Sequence, residues 1–135
     1  MNVYSRTGFF IGAVLLLFVR VSPARSEEGR FVKEFKVRDN ITVVVAEGDK
    51  EPRSIGSYSV RVYSDLNTGS FVDGMIKSRD GYIREVEIKE RDRTGSDEIR
   101  VTIATAGSGP YFAVDVFTFD GKYLRWSKEK SRPLQ

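Results

Sequence analysis

The sequence predicts an all-β domain, an antiparallel sandwich or small barrel of about eight strands. Three observations carry this reading. Short strand-like runs recur every eight to twelve residues or so, turn-forming Gly, Asp and Asn separate them, and no helical periodicity extends beyond about three turns.

Ahead of the first strand, Arg6 precedes an apolar run over residues 9–19, followed by Ser22-Pro23-Ala24-Arg25-Ser26. A basic start, a short apolar core and small residues after it make the pattern of a signal peptide. The run of eleven residues falls well short of the roughly 20 that a membrane-crossing helix needs. Residues 1–26 therefore read as a cleaved leader rather than a retained anchor, and residues 27–135 as one exported domain with no membrane attachment. Ala24 and Ser26 supply the small residues that place cleavage after Ser26. Cleavage after Ala24, with Ser22 as the other small residue, is the neighbouring alternative.

The strands follow in order. Residues 31–37 end at Asp39-Asn40, and residues 41–47 at Gly48-Asp49. In 57–65, Tyr58, Val60 and Val62 alternate with Ser59 and Arg61, so one side is apolar and the other polar. Asn67-Thr68-Gly69 closes that run and opens 71–77. Asp80-Gly81 tolerates the positive φ of a two-residue hairpin turn and is expected to join 71–77 to an antiparallel neighbour at 82–90. There Val86 and Ile88 alternate with Glu85, Glu87 and Lys89; beyond Thr94-Gly95-Ser96, Ile99, Val101 and Ile103 alternate with Arg100 and Thr102 in 98–106. The last pair, 111–119 and 122–126, is joined at Asp120-Gly121, and a two-residue turn there pairs Phe119 with Lys122 and Phe117 with Leu124. That register puts Phe117, Phe119 and Leu124 on one face and Val114, Val116 and Tyr123 on the other. A hairpin apolar on both sides is either covered by loops or meets a second copy of the chain; the homodimer is the favoured reading.

Composition excludes more than it selects. The full chain carries a formal net charge of +3, but the leader takes away Arg6, Arg20 and Arg25 and no acid, leaving 19 basic residues against 19 acidic ones. A nucleic-acid partner loses its electrostatic support. Neither His nor Cys occurs, which removes the usual proton shuttle, the thiolate nucleophile and most transition-metal sites. No disulfide can form, so packing of the sheets alone must hold the domain. No cofactor and no metal are expected. Glu85 and Glu87 have the residue type of a glycosidase pair, yet they alternate with Val86 and Ile88 beside Lys89, Glu90, Arg91, Asp92 and Arg93. They read as a charged, solvated sheet face. Asp115, between Val114 and Val116, reads as the partner of a neighbouring Arg or Lys.

Residues 106–112 form the most distinctive segment, a glycine-rich connection centred on Ser108-Gly109-Pro110-Tyr111. Gly107-Ser108-Gly109 lacks the spacing of a hydrolase nucleophile elbow and no His exists to activate Ser108, although a Ser–Lys dyad stays open. A plain hairpin connection is the simplest reading of such a loop. The sharper one is recognition: Pro110 fixes its own φ and restricts Gly109, so little entropy is lost on binding. Ser108 can then donate to a carboxylate while Tyr111 offers a ring with a polar tip. A cleft with two carboxylates, as in a lysozyme, is the natural receptor.

Ser108-Gly109-Pro110-Tyr111 resembles the SGxY motif of bacterial periplasmic lysozyme inhibitors. From 31 to 126 the chain is similar to the PliI family, inhibitors of invertebrate-type (i-type) lysozyme; the chicken-type inhibitors share SGxY but typically carry cysteines, absent here. The resemblance implies an antiparallel β-sandwich of about eight strands in the periplasm that blocks peptidoglycan hydrolysis without being an enzyme. It implies that Ser108 bonds near the lysozyme's catalytic carboxylates, Gly109 allows close backbone approach and Tyr111 anchors the loop. The alternative function is a peptidoglycan-binding carbohydrate module that stacks sugars on Tyr63, Tyr82, Tyr123 or Trp126.

Overall fold

The computed structural model describes residues 29–38, 40–90, 93, 95–107, 111–127 and 133–134. The leader and its cleavage site lie outside these residues. All regular structure within them is strand: β1 (Val32–Arg38), β2 (Ile41–Glu47), β3 (Ile55–Asp65), β4 (Ser70–Asp80), β5 (Tyr82–Lys89), β6 (Asp97–Ala104), β7 (Phe112–Phe119), β8 (Leu124–Ser127) and β9 (Pro133–Leu134). The eight expected strands all form, and the short β9 pairs with β7 at Phe112 and Ala113.

Two antiparallel sheets result, one ordered β1-β2-β3-β4 and the other β5-β6-β7-β8. Each is a simple meander, and the chain passes between them once, at Gly81. The alternation read in the sequence decides what lies between the sheets. Tyr58, Val60 and Val62 on β3 and Val43 and Val45 on β2 meet Ile99, Val101 and Ile103 on β6 and Phe117 and Phe119 on β7, all buried in one core. Tyr58 and Phe117 cross it edge to face, with ring centroids 6.2 Å apart. Burying a side chain of this kind stabilises by roughly 1.5–3 kcal/mol, so this double layer supplies the stability that no disulfide can.

Two turn expectations are corrected. Asp80-Gly81 does not make a hairpin, because β4 and β5 belong to different sheets. Gly81 does take a positive φ of 124°. Its backbone, however, lies so close to the end of β6 that a Cβ would stand 1.9 Å from the Ala104 carbonyl oxygen. At Asp120-Gly121 the turn is wider than two residues: Phe119 pairs with Leu124 and Phe117 with Trp126. The Asp120 carboxylate accepts from the Lys122 and Tyr123 amides at 2.9 and 2.8 Å, and these bonds hold its pKa below the ordinary carboxylate value. A side-chain acceptor of this kind stabilises the longer turn. The register moves by two residues, which preserves the faces, so Leu124 still joins Phe117 and Phe119 in the core.

The outer side of the last hairpin is also different from its expected form. Val114 and Val116 are 8% and 1% exposed within a single chain, and Tyr123 sits exposed in the turn. The open apolar face that favoured a second copy is therefore not present.

Gly81→Ala is expected to destabilise the domain by more than about 1 kcal/mol, since the new methyl meets backbone in a conformation that suits glycine. Urea unfolding checks this, and an unchanged midpoint would contradict the tight crossing.

Candidate functional site

The connection between β6 and β7, residues 105–111, holds the expected binding loop. Its two ends are tied together: the Thr105 amide donates to the Tyr111 carbonyl at 3.1 Å, and the Thr105 hydroxyl donates to the same oxygen at 3.2 Å. Ala106 and Gly107 are exposed, and the Tyr111 side chain is 58% exposed. Tyr111 thus begins the return to β7 with most of its ring open to a partner. Ser108, Gly109 and Pro110 lie outside the described residues.

The base of the loop is braced by neighbours far away in sequence. Tyr82, Ala104 and Phe112 pair in one row across β5, β6 and β7, and Gly81 packs against Ala104 and Thr105. Behind Gly81 stands Arg79, only 4% exposed. Its guanidinium donates to the carbonyls of Ser57 at 2.9 Å, Arg53 at 2.7 Å and Pro52 at 3.0 Å, and also to that of Gly81. Glu51 stands 3.9 Å away as counter-charge. The Glu51 carboxylate also accepts from the Ser57 amide and, at 2.7 Å, from the Ser57 hydroxyl. Those two bonds, aided by the Arg79 charge, hold its pKa below the ordinary value. A buried carboxylate, Glu47, accepts from the Ile83 amide at 2.6 Å and the Phe31 amide at 3.1 Å, linking β2 to β5. The end of the sandwich that carries the loop is therefore fixed by a polar lattice.

Arg79, Glu47 and Glu51 are absent from the sequence reading. Glu47 closes an apolar strand and Arg79 sits four residues beyond Met75 on the inward side of β4, a faint signal of an inward charge. Asp115 was expected to pair with Arg or Lys. Instead it accepts from the Tyr58 hydroxyl and, at 3.2 Å, from Trp126 Nε1. Burial first, then this bond, pushes the Tyr58 phenol above its ordinary pKa. Both donors are neutral groups that reach Asp115 from the core side of β7, one from β3 and one from β8.

Glu85 and Glu87 are exposed on the outer side of β5, as a solvated face requires. The four aromatics of a sugar platform are not brought together. Tyr63 stacks edge-on against Phe71 at 5.9 Å, Tyr123 lies in the β7–β8 turn, and Trp126 is half-buried with the Lys77 ammonium 3.3 Å from its ring centre. Tyr82 alone stands near the loop. Among the described residues no cluster of acidic side chains is arranged to hold a metal ion.

Fold and connection together define a class: a small antiparallel β-sandwich whose β6–β7 connection is tied at its ends and carries an exposed Tyr111. Residues 29–128 match the family of periplasmic lysozyme inhibitors of I-type lysozyme, PliI, and the chain belongs to that family. Two solved structures are similar to it. The periplasmic I-type lysozyme inhibitor of Aeromonas hydrophila, PliI-Ah, is 36% identical, with 71% of this chain and 84% of that chain covered and a TM-score of 0.63. The A. hydrophila PliI in complex with Meretrix lusoria lysozyme is also 36% identical, with 72% and 81% covered and a TM-score of 0.64. No curated protein matches the chain.

The lowered Glu51 pKa has a direct consequence. Its carboxylate stabilises the fold above the unfolded-state pKa, and that contribution disappears as pH falls through the lower folded-state value. Glu51→Gln is expected to be less stable than the parent at neutral pH, with the gap closing progressively below the ordinary value of 4.5. Urea unfolding across a pH series measures the gap, and one that stays constant with pH would contradict the assignment.

Proposed function

We propose that this periplasmic lysozyme inhibitor acts by seating Ser108-Gly109-Pro110-Tyr111 in the cleft of an invertebrate-type lysozyme, so that peptidoglycan cannot enter. The observation that carries the reading is Tyr111: an exposed ring placed at the end of a loop whose two ends are bonded through Thr105. The complex of the A. hydrophila relative with Meretrix lusoria lysozyme supports the class of target. Export with removal of residues 1–26, cleaved after Ser26, brings the domain to the compartment where peptidoglycan and lysozyme meet.

The chemistry required is recognition only. A glycosidase cleft holds one carboxyl as acid and a second as base or nucleophile. The Ser108 hydroxyl donates to one of them, a bond to a charged acceptor and thus stronger than a neutral one. Gly109 has no side chain to hold the backbone away from the cleft wall. Pro110 limits the conformations lost on binding, and the Tyr111 ring fills apolar surface while its hydroxyl finds a polar partner. The inhibitor itself, without His or Cys, is expected to release no reducing sugar from bacterial walls.

Ser108→Ala and Tyr111→Ala are each expected to weaken inhibition of an i-type lysozyme by on the order of 1–3 kcal/mol, with unchanged unfolding midpoints. Titration of each variant against wall lysis reads the loss. A double variant that inhibits as well as the parent refutes the loop mechanism.

A further inference from the structure

Two arginines stand beside the binding loop, each seated on an aromatic ring. The Arg53 guanidinium lies 5.0 Å from the Tyr82 ring centre, and that of Arg84 lies 4.7 Å from the Phe112 ring centre. Tyr82 and Phe112 occupy the row that flanks the loop, one on each side of Ala104. At about 4.8 Å per strand spacing their backbones are roughly 10 Å apart. Both rings point away from the core, because their neighbours Ile83 and Ala113 are the residues that pack against it. An open groove lined by Arg53, Ser54, Tyr82 and Ala106 runs directly into the loop.

Both arginines are exposed, and among the described residues neither forms an ion pair with a carboxylate. By contrast, Arg38 is bound to Asp97 at 3.0 Å and Arg100 stands 3.8 Å from Glu98. Arg84 and Phe112 line a separate shallow groove on the outer face of the same sheet, together with Glu85, Glu87 and Arg100; neither glutamate pairs with Arg84 among the described residues. Stacking on a ring restrains the planar guanidinium and leaves its edge free for two parallel hydrogen bonds. Arg53 is further fixed through its backbone, since its carbonyl is held by Arg79.

We propose that Arg53 and Arg84 form a cationic collar around the loop, and that it pairs with carboxylates on the rim of the lysozyme cleft while residues 108–111 fill the cleft. This rests on the loop reading above and deepens it. Charges at the rim act on the approach of the partners more than on the final seat, because they attract at distances that salt screens. The collar therefore sets how fast the inhibitor finds its target and which lysozymes it prefers, those whose cleft rim is acidic.

The test is charge reversal, with Meretrix lusoria lysozyme as the probe. Arg53→Glu/Arg84→Glu is expected to raise the inhibition constant at low salt about tenfold or more, mainly through slower association, and to flatten the dependence on salt. Lys36→Glu/Lys122→Glu makes the same change of charge at the opposite end of the sandwich and is expected to stay close to the parent. The collar is overturned if its reversal tracks the parent, or if the distant pair loses as much. Should the reversed pair fail to fold, Arg53→Gln/Arg84→Gln gives the same direction with a smaller loss. Ser108→Ala/Tyr111→Ala run in parallel separates the two ideas. A loss there with an unaffected collar variant sinks the collar alone, and the reverse pattern sinks the loop and keeps the collar.

Discussion

One buried guanidinium holds together the end of the domain that carries the β6–β7 loop. Arg79 spends its donors on the carbonyls of Pro52, Arg53, Ser57 and Gly81, groups drawn from the β2–β3 connection, β3 and the passage between the sheets. Leaving such carbonyls buried without a partner costs on the order of 1–3 kcal/mol each. Arginine suits the role because its planar fork carries five donors at fixed angles and its charge persists at every relevant pH. Glu51 offsets that charge and is itself bound to Ser57. Everything near the loop follows from this point. The connection carrying Arg53 is drawn against Tyr82, Gly81 is held against Ala104, and the strands that bear the loop are set in register.

Such rigidity suits a member of a family of inhibitors. On the proposed mechanism, a loop that fills a cleft gains affinity by losing little freedom when it docks. Thr105 ties the loop's ends through the Tyr111 carbonyl, and the lattice of Arg79, Glu47 and Glu51 braces the strands beneath it. The sandwich behind it is stabilised by apolar burial, with polar bonds across the gap between sheets at Glu47 with Ile83, Asp73 with Leu124 and Arg38 with Asp97. A cysteine-free domain in an oxidising compartment needs no covalent staple on that plan.

Much of this was legible in the sequence, for a physical reason. Inner faces of antiparallel sheets are apolar at every second residue, so Tyr58-Val60-Val62 and Ile99-Val101-Ile103 announced both their strands and their faces. Turn residues marked the strand ends, and Ser108-Gly109-Pro110-Tyr111 was visible as a motif through its resemblance to known inhibitors. What stayed hidden depends on partners remote along the chain. An Asp-Gly pair shows that the backbone can take a positive φ, but whether the next strand returns beside the last or crosses to the other sheet is decided by packing on Ala104. The inner side of β4 carries Asp73, Met75, Lys77 and Arg79, which hides a buried strand behind a polar pattern. The aromatic seats of Arg53 and Arg84 arise only on folding: Arg53, in the β2–β3 connection of one sheet, meets Tyr82 on β5 of the other, and Arg84 on β5 reaches across β6 to Phe112 on β7.

The central claim is that the braced end of the sandwich, and no other surface, meets the lysozyme. Amide hydrogen exchange of the inhibitor, free and bound to an i-type lysozyme, tests it most directly. The account predicts new protection at residues 105–111 and at the flanking positions near Arg53 and Arg84, with the turns at 66–69 and 120–123 unchanged. Protection confined to those distant turns, or to the outer side of the β1–β4 sheet, would contradict it.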